Sequence, residues 1–115
     1  MAHRTTSPVR GKADLVTVRH ATPRRNLRSI FATGVRPDRA KGKLRAVWLH
    51  APGRSAWARA HVARRHQVAR GEVVVLVLRV PRAQLRRRGP GVWIYLEVIA
   101  PLRIIGVNAL KVFAA

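Results

Sequence analysis

The 115-residue chain predicts a small α+β domain, a mainly antiparallel sheet with two flanking helices, and three observations carry that prediction. The first is Glu72–Val80, the longest apolar run, rich in β-branched residues and bounded by Gly71 and Pro81. It is too short to span a membrane and suits a strand buried on both faces. The second is a set of short segments able to pair with it: Leu15–His20, Ala46–His50, Val92–Val98 and Arg103–Val107. The third is a pair of stretches with helix start and stop signals, one from Thr22 to about Thr33 and one from Ser55 to about Ala69.

A chain of this length forms one domain and buries a core without a staple. It has no cysteine, so neither a disulfide framework nor a cysteine-bound metal can be argued. His61 and His66 are five apart and do not align on a helix, and carboxylates are few, so no metal site is expected. With no secretory or membrane-spanning segment in view, the expectation is a cytoplasmic protein with no membrane contact. Residues 1–13 read as a disordered basic arm and residues 14–108 as the folded domain. Residues 109–115 read as a C-terminal tail whose apolar residues would dock on a protein partner or a second copy.

Charge sets the expected partner. Lys and Arg number 24 against 4 Asp and Glu, a net charge of +20. So basic a chain repels itself when alone and is expected to sit on a polyanion, with nucleic acid, DNA or RNA, the usual one. A coding bias toward arginine explains the choice of Arg over Lys, but not the scarcity of acids.

Along the chain, Leu15–His20 alternates, with Val16, Val18 and His20 on one face. Thr22 is placed to cap the next helix and Pro23 to open it. That helix carries Leu27, Ile30 and Phe31 on one side and Arg24, Arg25 and Arg28 on the rest, and Gly34 ends it. Arg24 and Arg28 repel at spacing four unless an anion lies between them. The loop Val35–Lys43 carries Arg36 and Arg39, two lysines and the acid Asp38. In Ala46–His50, Val47 and Leu49 face one way and Trp48 and His50 the other. Ser55 caps the second helix, whose apolar stripe is broken by His61 and Arg65. Pro81–Leu85 reads as a helical turn and Arg86-Arg87-Arg88-Gly89-Pro90-Gly91 as a rigid basic turn. In Val92–Val98, Trp93, Tyr95 and Glu97 share a face, an arrangement that offers stacking and an acceptor to a sugar or base.

His20, His50 and Glu97 are the candidates for chemistry. His20 precedes a helix start, where free N–H groups favour an anion; His50 lies beside Trp48; Glu97 lies beside two aromatics. The order His20-Ala21-Thr22, then Asn26-Leu27-Arg28-Ser29-Ile30-Phe31-Ala32-Thr33-Gly34-Val35, then Val47-Trp48-Leu49-His50, resembles the opening of ADP-ribosyltransferase-fold proteins. The later Val-Val-Val-Leu strand and the Glu97-Val98-Ile99-Ala100-Pro101 segment extend the resemblance, which spans about Leu15 to Val107.

That resemblance implies a small split, mainly antiparallel sheet and NAD as the second substrate. His20 would hold the adenosine ribose, with Thr22 next to it. Trp48 or His50 would lie near the nicotinamide, in place of the family's commoner tyrosine, and Trp93 and Tyr95 would complete the NAD surface. Glu97 would steady the oxocarbenium-like transition state. The tRNA 2′-phosphotransferases of the same fold are similar in using histidine and arginine instead, for which Arg19, His20, Arg24 and His50 are available. Nucleic acid would be acceptor or docking partner, gripped by Arg24, Arg25, Arg28, Arg36, Arg39, Arg86, Arg87 and Arg88. The alternative is a non-catalytic nucleic-acid-binding protein or ribonucleoprotein subunit, with Trp93 and Tyr95 as base-stacking platforms.

Overall fold

The computed structural model describes residues 14–40 and 44–109. The predicted basic arm, the lysines of the first loop and most of the predicted C-terminal tail lie outside the described residues. The described part is an α+β fold: β1 (Leu15–Pro23), α1 (Leu27–Thr33), β2 (Val47–His50), α2 (Ser55–His66), β3 (Val73–Pro81), β4 (Arg86–Gly89), β5 (Val92–Tyr95) and β6 (Ile104–Ala109). The strands form one sheet in the order β4-β5-β2-β1-β3-β6, and every pairing is antiparallel.

The apolar run becomes β3. It pairs along its whole length with β1, from Leu15↔Pro81 to Pro23↔Val73, and on its other edge with β6. Val73, Val74, Val75, Leu76, Leu78 and Val80 are all buried, each worth about 1.5–3 kcal/mol of transfer free energy. The sheet has two unequal faces. Val18, Leu76, Leu78, Val47, Leu49 and Tyr95 pack on one face with Ile30 of α1 and with Val35 and Ile99. Ala21, Val73 and Val75 pack on the other against Ala58 and Ala63 of α2. The small alanines let that helix lie close, and its remaining surface is left for other work.

Several boundaries differ from the sequence-based expectation, each for a local reason. β1 runs on to Pro23 because β3 supplies it with partners to Val73. Thr22 is therefore a buried strand residue, and a single 3-10 turn, Arg24–Asn26, precedes a seven-residue α1. His20 thus stands some way from the start of a helix too short to act as an anion site. Gly34 does end α1, at φ +92°, and a Cβ there would collide with the carbonyl oxygen of Ile99. That close approach lets Val35 and Ile99 exchange both backbone hydrogen bonds at 2.9 Å. α2 stops at His66 because Gln67 turns left-handed at φ 56°. Ser55 makes no capping bond; its hydroxyl meets His50 instead. Arg86–Gly89 is a strand, not a turn, because β5 offers it a ladder; the chain reverses at Pro90 and Gly91. β5 ends at Tyr95, since the bridge to Val35 pulls Ile99 away from the sheet.

Candidate functional site

The sheet is split between its two middle strands. β1 and β3 pair at nine positions, whereas β1 and β2 pair only at Arg19↔His50. Beyond that point the ladder gives way to a side chain: Nδ1 of His20 lies 2.8 Å from the carbonyl oxygen of Trp48. A carbonyl only accepts, so Nδ1 carries the proton and Nε2 keeps its lone pair while the ring is neutral. Burial lowers the His20 pKa below 6.5; the bond to Trp48 opposes this and the charge of His66 adds to it. At neutral pH the ring is therefore an uncharged imidazole with a fixed tautomer and a spare acceptor.

A cavity of about 670 Å³ opens in this split, a size that suits a small-molecule ligand. His20, Ala21 and Thr22 form one wall and Ala46 to His50 the facing wall. α1 contributes Ser29 and Ile30, with Arg25 and Asn26 of the preceding turn. The loop after α1 brings Arg36 and Arg39. α2 closes the far side with two rows of residues at spacing four: Trp57, His61 and Arg65, and beside them Ala58, Val62 and His66. The lining holds four arginines and four histidines and, among the described residues, no carboxylate.

His50 is 3 % exposed. Its Nε2 lies 3.3 Å from the Ser55 hydroxyl, on the first turn of α2. Burial, His20, Arg19 and Arg59 together push its pKa down to about 4. Arg59 is itself buried and donates to the carbonyls of Val73 at 2.8 Å and Asn108 at 3.1 Å, so it ties α2 to β3 and β6. Arg19, opposite His50 in the ladder, has a buried Nε without a hydrogen-bond partner. Around the split, cations crowd together and, apart from the Arg36–Asp38 pair, without acidic compensation among the described residues, the condition of a site shaped for an anion.

The expected site residues divide into two groups. His20, Thr22, Trp48, His50, Arg25, Arg36 and Arg39 all line the cavity. Thr22 is buried, and its hydroxyl accepts a 3.2 Å bond from Nδ2 of Asn26. Arg36 is held by Asp38 through two contacts of 3.0 and 3.1 Å, which keep that carboxyl below the usual range. Glu97, Trp93 and Tyr95 do not line it. Tyr95 is a core residue whose hydroxyl donates to Oε1 of Gln84, and burial raises its pKa. Trp93 packs against the same core. Glu97 lies exposed beyond the end of β5, because the strand on which it shared a face with Trp93 and Tyr95 is two residues too short to reach it. The structure thus does not bring Glu97, Trp93 and Tyr95 together with His20 and His50 at this cavity. Arg24 and Arg28 are exposed outside the cavity, as are Arg86, Arg87 and Arg88 on β4.

Sequence reasoning missed Trp57, His61, Arg65 and His66 as lining residues. The signal was present: a helix whose apolar stripe opens on an indole and is interrupted four and eight residues on by an imidazole and a guanidinium presents a second, functional face. Compared with models of known protein families and with curated proteins, the chain matches none.

Proposed function

We propose that the split binds NAD, that the chain is an ADP-ribosyltransferase-like domain, and that nucleic acid is its acceptor or docking partner. The observation that carries this reading is the carboxylate-free cavity between β1 and β2, with the imidazole of His20 in its lining and arginines around it. Neutral His20 accepts from a ribose hydroxyl, as the resemblance around His20-Ala21-Thr22 implies. Arg25, Arg39 and Arg65 match the charge of a diphosphate. Trp48, 43 % exposed on the facing wall, offers an apolar surface to a flat ring.

NAD would supply the ADP-ribosyl group, the bond from ribose to nicotinamide breaking with its electron pair on the nicotinamide. With Glu97 outside the cavity, the chain has no carboxylate there to offset positive charge on the sugar. An acceptor that brings its own negative charge, a phosphate on nucleic acid, offsets it instead. This favours the histidine-and-arginine scheme of the 2′-phosphotransferase branch. Where the acceptor is a hydroxyl, its oxygen bonds to the ribose carbon that nicotinamide leaves, and its proton goes to the neutral imidazole of His20.

The test is release of nicotinamide from NAD with an oligonucleotide bearing or lacking an internal 2′-phosphate. Turnover should require the oligonucleotide, fall steeply in His20→Ala and persist in Glu97→Gln. Loss of turnover in Glu97→Gln would return that carboxylate to the chemistry. Nucleic-acid binding without any response to NAD would favour the second reading, a non-catalytic basic binder or ribonucleoprotein subunit, to which the net charge of +20 also points.

A further inference from the structure

Two indoles stand bare where most tryptophans are covered. Trp48 is 43 % exposed and Trp57 46 % exposed, and both line the mouth of the cavity on the α2 side. Each is held by a cationic or ionisable neighbour. The guanidinium carbon of Arg88 lies 5.8 Å from the centre of the Trp48 ring. The ring of His61 stacks on Trp57 with centroids 5.6 Å apart and planes inclined by 19°.

The register of β4 explains how Arg88 arrives there. Residues directly opposite in an antiparallel ladder share a face. Arg86 pairs with Ile94, which pairs with Trp48, so Arg86 is on the Trp48 side. Arg87 pairs with Trp93 and lines a separate hollow with Val16 and Leu85 on the opposite face. A bulge between Arg87 and Gly89 then brings Arg88 back over Trp48. The three arginines do not act as one patch: two share the sheet face of Trp48 and one lies on the opposite face.

We propose that this face binds a single-stranded polynucleotide, with bases stacked on Trp48 and Trp57 and phosphates on Arg86 and Arg88. Positive charge alone would bind any polyanion, but exposed ring faces reward only bases that are already unstacked, which a duplex hides. The proposal rests on the nucleic-acid half of the reading above and shares Trp48 with its NAD half, so the probes are first bound in the absence of NAD.

The probes are labelled oligo-dT and oligo-U of about 12 nucleotides, a usual site size for such surfaces, and a duplex of the same length, followed by fluorescence anisotropy at matched salt. The single strands should bind at least about tenfold more tightly than the duplex, and the tighter of the two assigns DNA or RNA. Trp48→Leu and Trp57→Leu, which keep bulk but lose the aromatic face, should each weaken single-strand binding by about five- to a hundredfold. Trp48→Phe and Trp57→Phe should retain most of it. Arg88→Ala and Arg86→Ala should weaken binding and flatten its salt dependence, while Arg87→Ala, on the reverse face, should do neither. Equal or tighter duplex binding, Leu variants that bind like the wild type, or an Arg87→Ala loss as large as that of Arg88→Ala would each overturn the proposal while leaving a nucleic-acid partner in place. Absence of binding to every polymer would overturn the nucleic-acid partner with it. Neither result depends on whether NAD binds, which calorimetry reports separately.

Discussion

The imidazole of His20 does two jobs at once: Nδ1 replaces a missing ladder bond to Trp48, and the ring lines the cavity. His20→Gln keeps an amide donor for the Trp48 carbonyl and should fold, yet its one acceptor, Oε1, no longer stands where Nε2 did, so nucleotide binding should weaken by roughly tenfold, the value of one good hydrogen bond. His50 gives a pH signature. Its folded pKa of about 4 lies below the ordinary 6.5, so between those values the unfolded chain holds more protons than the folded one. Stability conferred by neutral His50 is complete above about pH 6.5 and is lost as pH falls toward 4, at up to about 1.4 kcal/mol per pH unit. Burial of His20 acts in the same direction. Denaturant midpoints measured from pH 7.5 down to about 4.5 should therefore decline, with a shallower slope in His50→Gln. An equal slope in the variant would show that the buried imidazole is not the titrating group.

At the scale of elements, the fold depends on two joints. Gly34→Ala places a side chain at φ +92° against the Ile99 carbonyl. It should cost about 2–3 kcal/mol in chemical denaturation, from backbone strain and the loss of the Val35–Ile99 bridge. Arg59→Met leaves two carbonyls, of Val73 and Asn108, without their donor. It should lower stability by about 2–3 kcal/mol, and the same unfolding curve checks it. Much of this architecture was readable in advance. The β-branched run from Val73 to Val80, the alternation in β1 and the glycine after Thr33 each signal through local chemistry. The boundaries that were misread depend on partners distant in sequence. Thr22 looks like a cap until β3 is known to extend past it, and Arg86–Gly89 looks like a turn until β5 offers a ladder. Glu97 was placed with Trp93 and Tyr95 by period alone; the Val35–Ile99 bridge, invisible to periodicity, ends the strand first. In α2, His61 and Arg65 break the apolar stripe that Trp57 opens, for a reason that emerges only when the helix is seen to face the split.

At the scale of the molecule, charge and topology point the same way. A sheet that comes apart between β1 and β2 makes a cavity through its middle, and the arginines that surround it belong to segments far apart in sequence. The +20 charge makes nucleic-acid affinity steeply salt-dependent, with about 0.7 of a counterion released per phosphate contacted on a single strand. Among the described residues no helix is long and apolar enough to cross a membrane. The most direct measurement is a calorimetric titration of NAD into the wild type, His20→Gln and Glu97→Gln at neutral pH. Saturable binding that is weakened in His20→Gln and unchanged in Glu97→Gln is the predicted result. No heat with millimolar NAD, or binding lost in Glu97→Gln and kept in His20→Gln, would contradict the assignment of the split as the nucleotide site.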